Sequence, residues 1–135
     1  MLEKILKPGL TASFKKRPPQ PIYSTNQELD YLLTTCQVTE VVIASASEMI
    51  DPLLSDGYLT VGRYIELSHD EPTFAQGGGP VSVTLTVNTI KGNKVILDFI
   101  CKDNIGIICR GKHERAVVDK LKLREATYKR AEKSQ

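Results

Sequence analysis

Between residues 58 and 118 apolar and polar positions trade places at almost every second residue. In 58–69, Leu59, Val61, Ile65 and Leu67 form one set, and Thr60, Gly62, Glu66 and Ser68 the other, with Tyr64 falling among the polar positions. Over 81–90, Val81, Val83, Leu85 and Val87 alternate with Ser82, Thr84, Thr86 and Asn88. Over 94–102, Val95, Leu97, Phe99 and Cys101 alternate with Ile96, Asp98, Ile100 and Lys102. A repeat of two places each set on one face of a strand. Lys91-Gly92-Asn93-Lys94 between the last two runs predicts a hairpin turn. Residues 105–118 predict a further long strand, with Gly106 and Gly111 as candidate bulges. A shorter alternation over 10–16 predicts a first strand, with Thr11, Ser13 and Lys15 opposite Ala12 and Phe14.

The period changes over residues 34–54. Val38, Val41, Val42, Ser45, Met49, Ile50 and Leu53 recur at steps of three and four, the spacing of one helix face. Thr34-x-x-Gln37 fits a capping box, and Pro52 and Gly57 are stop signals. The β-branched run Val38 to Ile43 would by itself favour a strand. Length and the small residues Ala44 to Ser47 favour the helix. Arg17-Pro18-Pro19-Gln20-Pro21 excludes a central strand and a helix interior, so it is an extended connector. Residues 26–33 predict a helical turn or two. Pro72 and Gly77-Gly78-Gly79-Pro80 end the pairing after 58–69. Residues 119–133 predict a charged terminal helix with Leu121 and Leu123 as its few anchors. The sum is an α+β domain: one long helix lying across a curved antiparallel sheet.

Composition narrows the picture. A chain of 135 residues with 41% apolar content is expected to form one domain, spanning 1–135 with a core over about 10–120. The formal net charge of +2 gives no support to a nucleic-acid partner. Three cysteines, Cys36, Cys101 and Cys109, an odd count without a leader peptide, point to reduced thiols in a cytoplasmic protein. No CxxC spacing suggests a zinc site, so no metal and no cofactor are expected. No apolar run reaches the roughly 18 residues of a membrane span.

The candidate chemistry gathers around 57–79, where His69 closes a strand and runs into a Pro/Gly-rich loop. Histidine titrates near neutral pH and suits a general base. A strand-end histidine bonded to a nearby carbonyl is the plain alternative. Thr35 at the helix start is either a water-orienting or nucleophilic hydroxyl, or simply part of the helix cap.

Several short motifs, taken in order, resemble the hot-dog fold of acyl-CoA thioesterases, and within it the fluoroacetyl-CoA thioesterase-like group. They are Asp51-Pro52-Leu53-Leu54, Gly57-Tyr58, Val61-Gly62, His69 with Pro72-Thr73, and Gly111-Lys112-His113-Glu114-Arg115. The resemblance covers roughly residues 20–120. It implies a helix wrapped by an antiparallel sheet, a homodimer or higher oligomer pairing sheets edge to edge, and an active site at the dimer interface that admits a pantetheine arm. It implies a threonine at the helix start, a glutamate eight residues later and a histidine at the end of the next strand. These fall on Thr35, Ile43 and His69, so the carboxylate position holds an isoleucine. Gly62 resembles the group's glycine beside the substrate, and Leu29 and Leu33 are candidates for a lid. Glu40, one turn before Ile43, is the candidate substitute acid. The resemblance implies a structural or interface role for His113 and Arg115, expected to face outward, and Arg63, Lys112 and Arg115 are candidates for a nucleotide phosphate. The expected activity is hydrolysis of a small or medium acyl-CoA thioester. The alternatives are a non-catalytic CoA-binding module that has lost its carboxylate and, more weakly, a hot-dog dehydratase.

Overall fold

The computed structural model describes residues 2–20, 27–75 and 80–134. The Gly77-Gly78-Gly79 run and part of the proline-rich connector lie outside them. Helix α1 (Leu2–Ile5) leads through a Pro8-Gly9 turn into strand β1 (Thr11–Lys16). A single 3-10 turn, Gln27–Leu29, is the described part of the helical turns expected over 26–33. Helix α2 (Thr35–Ile50) follows, extended by a 3-10 turn over Asp51–Leu53. Strands β2 (Tyr58–His69), β3 (Val81–Lys91), β4 (Lys94–Lys102) and β5 (Ile107–Asp119) come next, and α3 (Lys120–Glu132) closes the order.

The five strands form one antiparallel sheet in the order β1-β3-β4-β5-β2. Sequential hairpins link β3, β4 and β5, and Gly92 at φ +60° supplies the left-handed turn residue between β3 and β4. Helix α2 lies on the sheet and buries Val38, Val41, Val42, Ser45, Ala46, Met49 and Ile50 against Val83, Leu85, Leu97 and Phe99. Each of the valine, leucine, isoleucine, methionine and phenylalanine side chains among them contributes roughly 1.5–3 kcal/mol of burial. Of the helix positions expected to face the core, Leu53 is the exception: it sits in the 3-10 turn, exposed. The capping box at Thr34 forms as expected, with the Gln37 amide donating to Thr34 Oγ1 at 3.1 Å and the Thr34 amide donating to Gln37 Oε1 at 2.8 Å.

Strand β2 departs from strict alternation. It pairs Gly62 with Arg115 and then Tyr64 with Glu114, leaving Arg63 as an extra residue in a bulge. Residues directly opposite one another share a face, so Gly62 (opposite Arg115) and Ile65 (opposite His113) both point at the helix side. The inward set is therefore Thr60 and Gly62 before the bulge and Ile65, Leu67 and His69 after it. The expectation that Leu59 and Val61 share a face with Ile65 and Leu67 is corrected by this one inserted residue. Gly106 belongs to the β4–β5 turn, where the Asp103 amide donates to its carbonyl. Gly111 sits in the ladder under the Phe99 ring.

Candidate active site

The start of α2 and the end of β2 meet. Thr35 Oγ1 lies 2.9 Å from His69 Nδ1. Two short backbone links hold the flanking chains together: the Leu33 amide donates to Thr73 O at 2.9 Å and the Ala75 amide to Tyr31 O at 2.8 Å, around the Leu32–Phe74 bridge. The residues just before Thr35 and just after His69 are thus stitched into one ribbon. His69 Nε2 is buried with no hydrogen-bond partner among the described residues. A buried polar nitrogen without a partner is uncommon and calls for a water or a ligand group. The amides of Thr35 and Cys36, in the first turn of α2, lie outside the helix ladder and carry the positive end of its dipole.

The other expected site residues divide. Ile43 lies on the outer face of α2, 37% exposed. It stands eight residues past Thr35, about 12 Å along the helix axis. Glu40 is exposed and does not reach His69, whose Nδ1 is held by Thr35. Leu29 is exposed, but Leu33 is buried in the core and presents no surface for a lid. Beside the Leu32–Phe74 bridge stand Tyr31 and Phe74, both more than half exposed, with ring centroids 6.4 Å apart. Neither aromatic carried a sequence signal, because the bridge that brings them together is a tertiary contact. Cys36 is exposed, whereas burial pushes the thiols of Cys101 and Cys109 up to about 12 and about 11. Among the described residues no His, Cys, Asp and Glu side chains gather as a metal-ligand set.

His113 and Arg115 do not face outward: both are buried on the helix side. Arg115 Nε donates to Thr60 Oγ1 at 2.7 Å, Nη2 to Thr60 O at 2.9 Å and Nη1 to His113 Nε2 at 3.1 Å. The Thr60 hydroxyl donates to Asp51 Oδ1 at 2.5 Å, and Asp51 also accepts from the Thr60 amide and from Ser47 Oγ. Because a guanidinium only donates, His113 Nε2 must accept, so its proton sits on Nδ1 and goes to Tyr64 O at 2.9 Å. Burial lowers the His113 pKa, the Tyr64 carbonyl opposes that, and neighbouring Arg115 adds to it. Burial likewise lowers the pKa of Arg115, against the attraction of Asp51. These partners remove Arg115 from the candidates for a phosphate. Lys112 and Arg63 are paired with Asp98 and Glu114. An added Cβ at Gly62 would meet His113 Cε1 at 3.4 Å and Arg115 Nη1 at 3.5 Å, ordinary contacts, so space within the chain does not demand glycine there.

Comparison with solved structures shows the hot-dog fold. A hot-dog-like protein from Thermanaerovibrio acidaminovorans matches with a TM-score of 0.86 and 24% identity over 96% of each chain. A Thermus thermophilus hypothetical protein, a thioesterase superfamily member, gives 0.79 and 22% over 96% of this chain and 95% of that one. A mutant of the fluoroacetyl-CoA-specific thioesterase FlK, solved with fluoroacetate and CoA, gives 0.70 and 22% over 87% of this chain and 99% of that one. No curated protein matches the chain significantly in sequence. Among the described residues no helix is long and apolar enough to cross a membrane. The family model for fluoroacetyl-CoA-specific thioesterases matches residues 18–121, most of the chain, and on that ground this acyl-CoA thioesterase-like protein belongs to the fluoroacetyl-CoA-specific thioesterase family.

Proposed function

We propose that the protein hydrolyses a small or medium acyl-CoA thioester with Thr35 and His69 as its working pair. The observation that carries this reading is the 2.9 Å contact between Thr35 Oγ1 and His69 Nδ1, together with the buried, unpartnered Nε2. In the family pattern a glutamate accompanies threonine and histidine; here Ile43 cannot hold the imidazole. Thr35 takes over that task. His69 Nδ1–H donates to Thr35 Oγ1, which fixes the tautomer and leaves the Nε2 lone pair as the base. Nε2 removes a proton from a water as its oxygen attacks the thioester carbonyl. The oxyanion that develops is received by the first-turn amides of α2. Collapse of the tetrahedral species expels the CoA thiolate, which takes the proton from His69.

The solved FlK complex with fluoroacetate and CoA supports a CoA thioester as substrate. Leu29, Tyr31 and Phe74 form the apolar rim for the acyl group, and Gly62 lies along the path of the pantetheine arm. The unpaired outer edge of β2, twelve residues long, is the surface through which two copies pair as a homodimer. The site then lies beside the partner, in a cytoplasmic protein that needs no cofactor.

The test is thiol release from an acyl-CoA panel by the wild type and by His69→Ala and Thr35→Val. Losses of about 10²- to 10⁴-fold in kcat are expected for His69→Ala. Unchanged turnover in that variant would remove His69 from the mechanism. Ile43 favours a second reading, a CoA-binding module without hydrolysis. Calorimetry showing acyl-CoA binding with no free thiol would select it.

A further inference from the structure

Thr60 and His69 are nine residues apart on β2, an odd number. In an unbroken strand they would point to opposite faces of the sheet. Both face the helix: Thr60 is buried and bonded to Asp51 at the end of α2, and His69 is bonded to Thr35 at its start. The single extra residue at the Gly62–Tyr64 bulge accounts for this. Without it, either the first half of β2 or the second would turn its side chains away from α2, and in the latter case His69 would lose Thr35.

The bulge is flanked by two carbonyls that the buried pair on β5 satisfies. Arg115 Nη2 donates to Thr60 O and His113 Nδ1 to Tyr64 O, and Arg115 Nη1 bonds the two side chains to each other. The same Arg115 reaches Asp51 through the Thr60 hydroxyl, which fixes this end of β2 to the end of α2. Charged and polar groups that are 1–4% exposed are retained in a core only when each is paired, and here every polar contact runs to the bulge or to its anchor.

We propose that the hydrogen-bonded chain of half-buried Asp51 and buried Thr60, Arg115 and His113 is a positioning device that maintains the Gly62–Tyr64 bulge and thereby turns the His69 imidazole to the side of the sheet where Thr35 stands. None of these four side chains touches the Thr35–His69 pair; they act through the course of β2. The kinetic part of this inference rests on the thioesterase reading above, and the structural part does not.

The chain has only two histidines, so a long-range ¹H–¹⁵N spectrum resolves each imidazole. Thr60→Val keeps the shape of the side chain and removes the hydroxyl that joins Arg115 to Asp51. It is expected to shift both ring-nitrogen resonances of His69 and to lower kcat for acetyl-CoA about ten-fold per folded molecule, with KM changed less than two-fold. Arg115→Lys, which keeps the charge and loses the fork, should shift His69 in the same direction by a smaller amount. Val83→Ala, a buried truncation on β3, which β4 and β5 separate from β2, serves as the control for destabilisation alone and should leave the His69 resonances in place. Spectra of His69 in folded Thr60→Val and Arg115→Lys that match the wild type would overturn the proposal. So would a His69 shift equal to that in Val83→Ala. If the wild type releases no thiol, the hydrolytic reading fails while the imidazole spectra still decide the positioning.

Discussion

Gly111→Ala should unseat β2 from β5 close to the Thr35–His69 pair. An added Cβ at this position would stand 1.9 Å from Glu66 O and 2.8 Å from Phe99 Cζ. Ordinary contact begins near 3.4 Å, so the β2 backbone must retreat by 3.4 − 1.9, or about 1.5 Å. That displacement lengthens the ladder bonds around Glu66 and Leu67 beyond hydrogen-bonding range. Two lost bonds at about 1 kcal/mol each, plus about 1–3 kcal/mol of overpacking against Phe99, give a destabilisation of about 3–5 kcal/mol. For 135 residues the unfolding entropy is about 0.28 kcal/mol per degree, so Tm should fall by roughly 10–18 °C. Urea and thermal unfolding at matched protein concentration measure this directly. Leu67 lies two residues before His69, so thioester hydrolysis should fall with stability rather than after it. A variant within 1 kcal/mol of the wild type would refute the claim that β2 is held rigidly against β5 at this point.

Three further outcomes follow from the geometry. Burial lowers the folded-state pKa of His113 below its unfolded value, so its contribution to stability is whole above pH 6.5 and is lost as pH falls below it; the loss of unfolding free energy between pH 6.5 and 5 should be smaller in His113→Gln, and an identical acid slope would contradict this. Ile43→Glu places a carboxylate about 12 Å along α2 from Thr35, too far to act within its own chain; if two copies pair as proposed, a gain in hydrolysis should fade on dilution, and a gain independent of concentration would count against that pairing. Burial with raised pKa protects Cys101 and Cys109, so mass spectrometry after brief alkylation at pH 8 should find label at Cys36 first, and equal labelling of all three would show the sheet to be open.

The strands were legible because their signal is local. The runs over 58–69 and 94–102 match β2 and β4 to the residue, and Thr34 and Gln37, three residues apart, announce the start of α2 through their cap. The proximity of Thr35 and His69 was legible only through the family pattern, since nothing in the chain between two residues 34 positions apart encodes it. The bulge was not legible: an inserted Arg63 looks like any other residue until its partners on β5 are known. His113 and Arg115 misled for a related reason. Charged side chains on a strand ordinarily mark the wet face, and only their mutual pairing with Thr60 and Asp51 makes the inner face tolerable. Leu33 misled in the opposite sense, because a leucine in a loop offers no sign of whether it is rim or core.

Helix α3 buries none of its residues and starts beside Tyr58, at the end of β2 farthest from His69. Eleven strand steps at about 3.3 Å separate that corner from the imidazole of the same chain, roughly 36 Å. A fluorophore, affinity handle or surface tether attached there would leave the Thr35–His69 pair of the same chain undisturbed, and a donor dye on the helix would have a suitable distance for reporting ligand arrival by energy transfer.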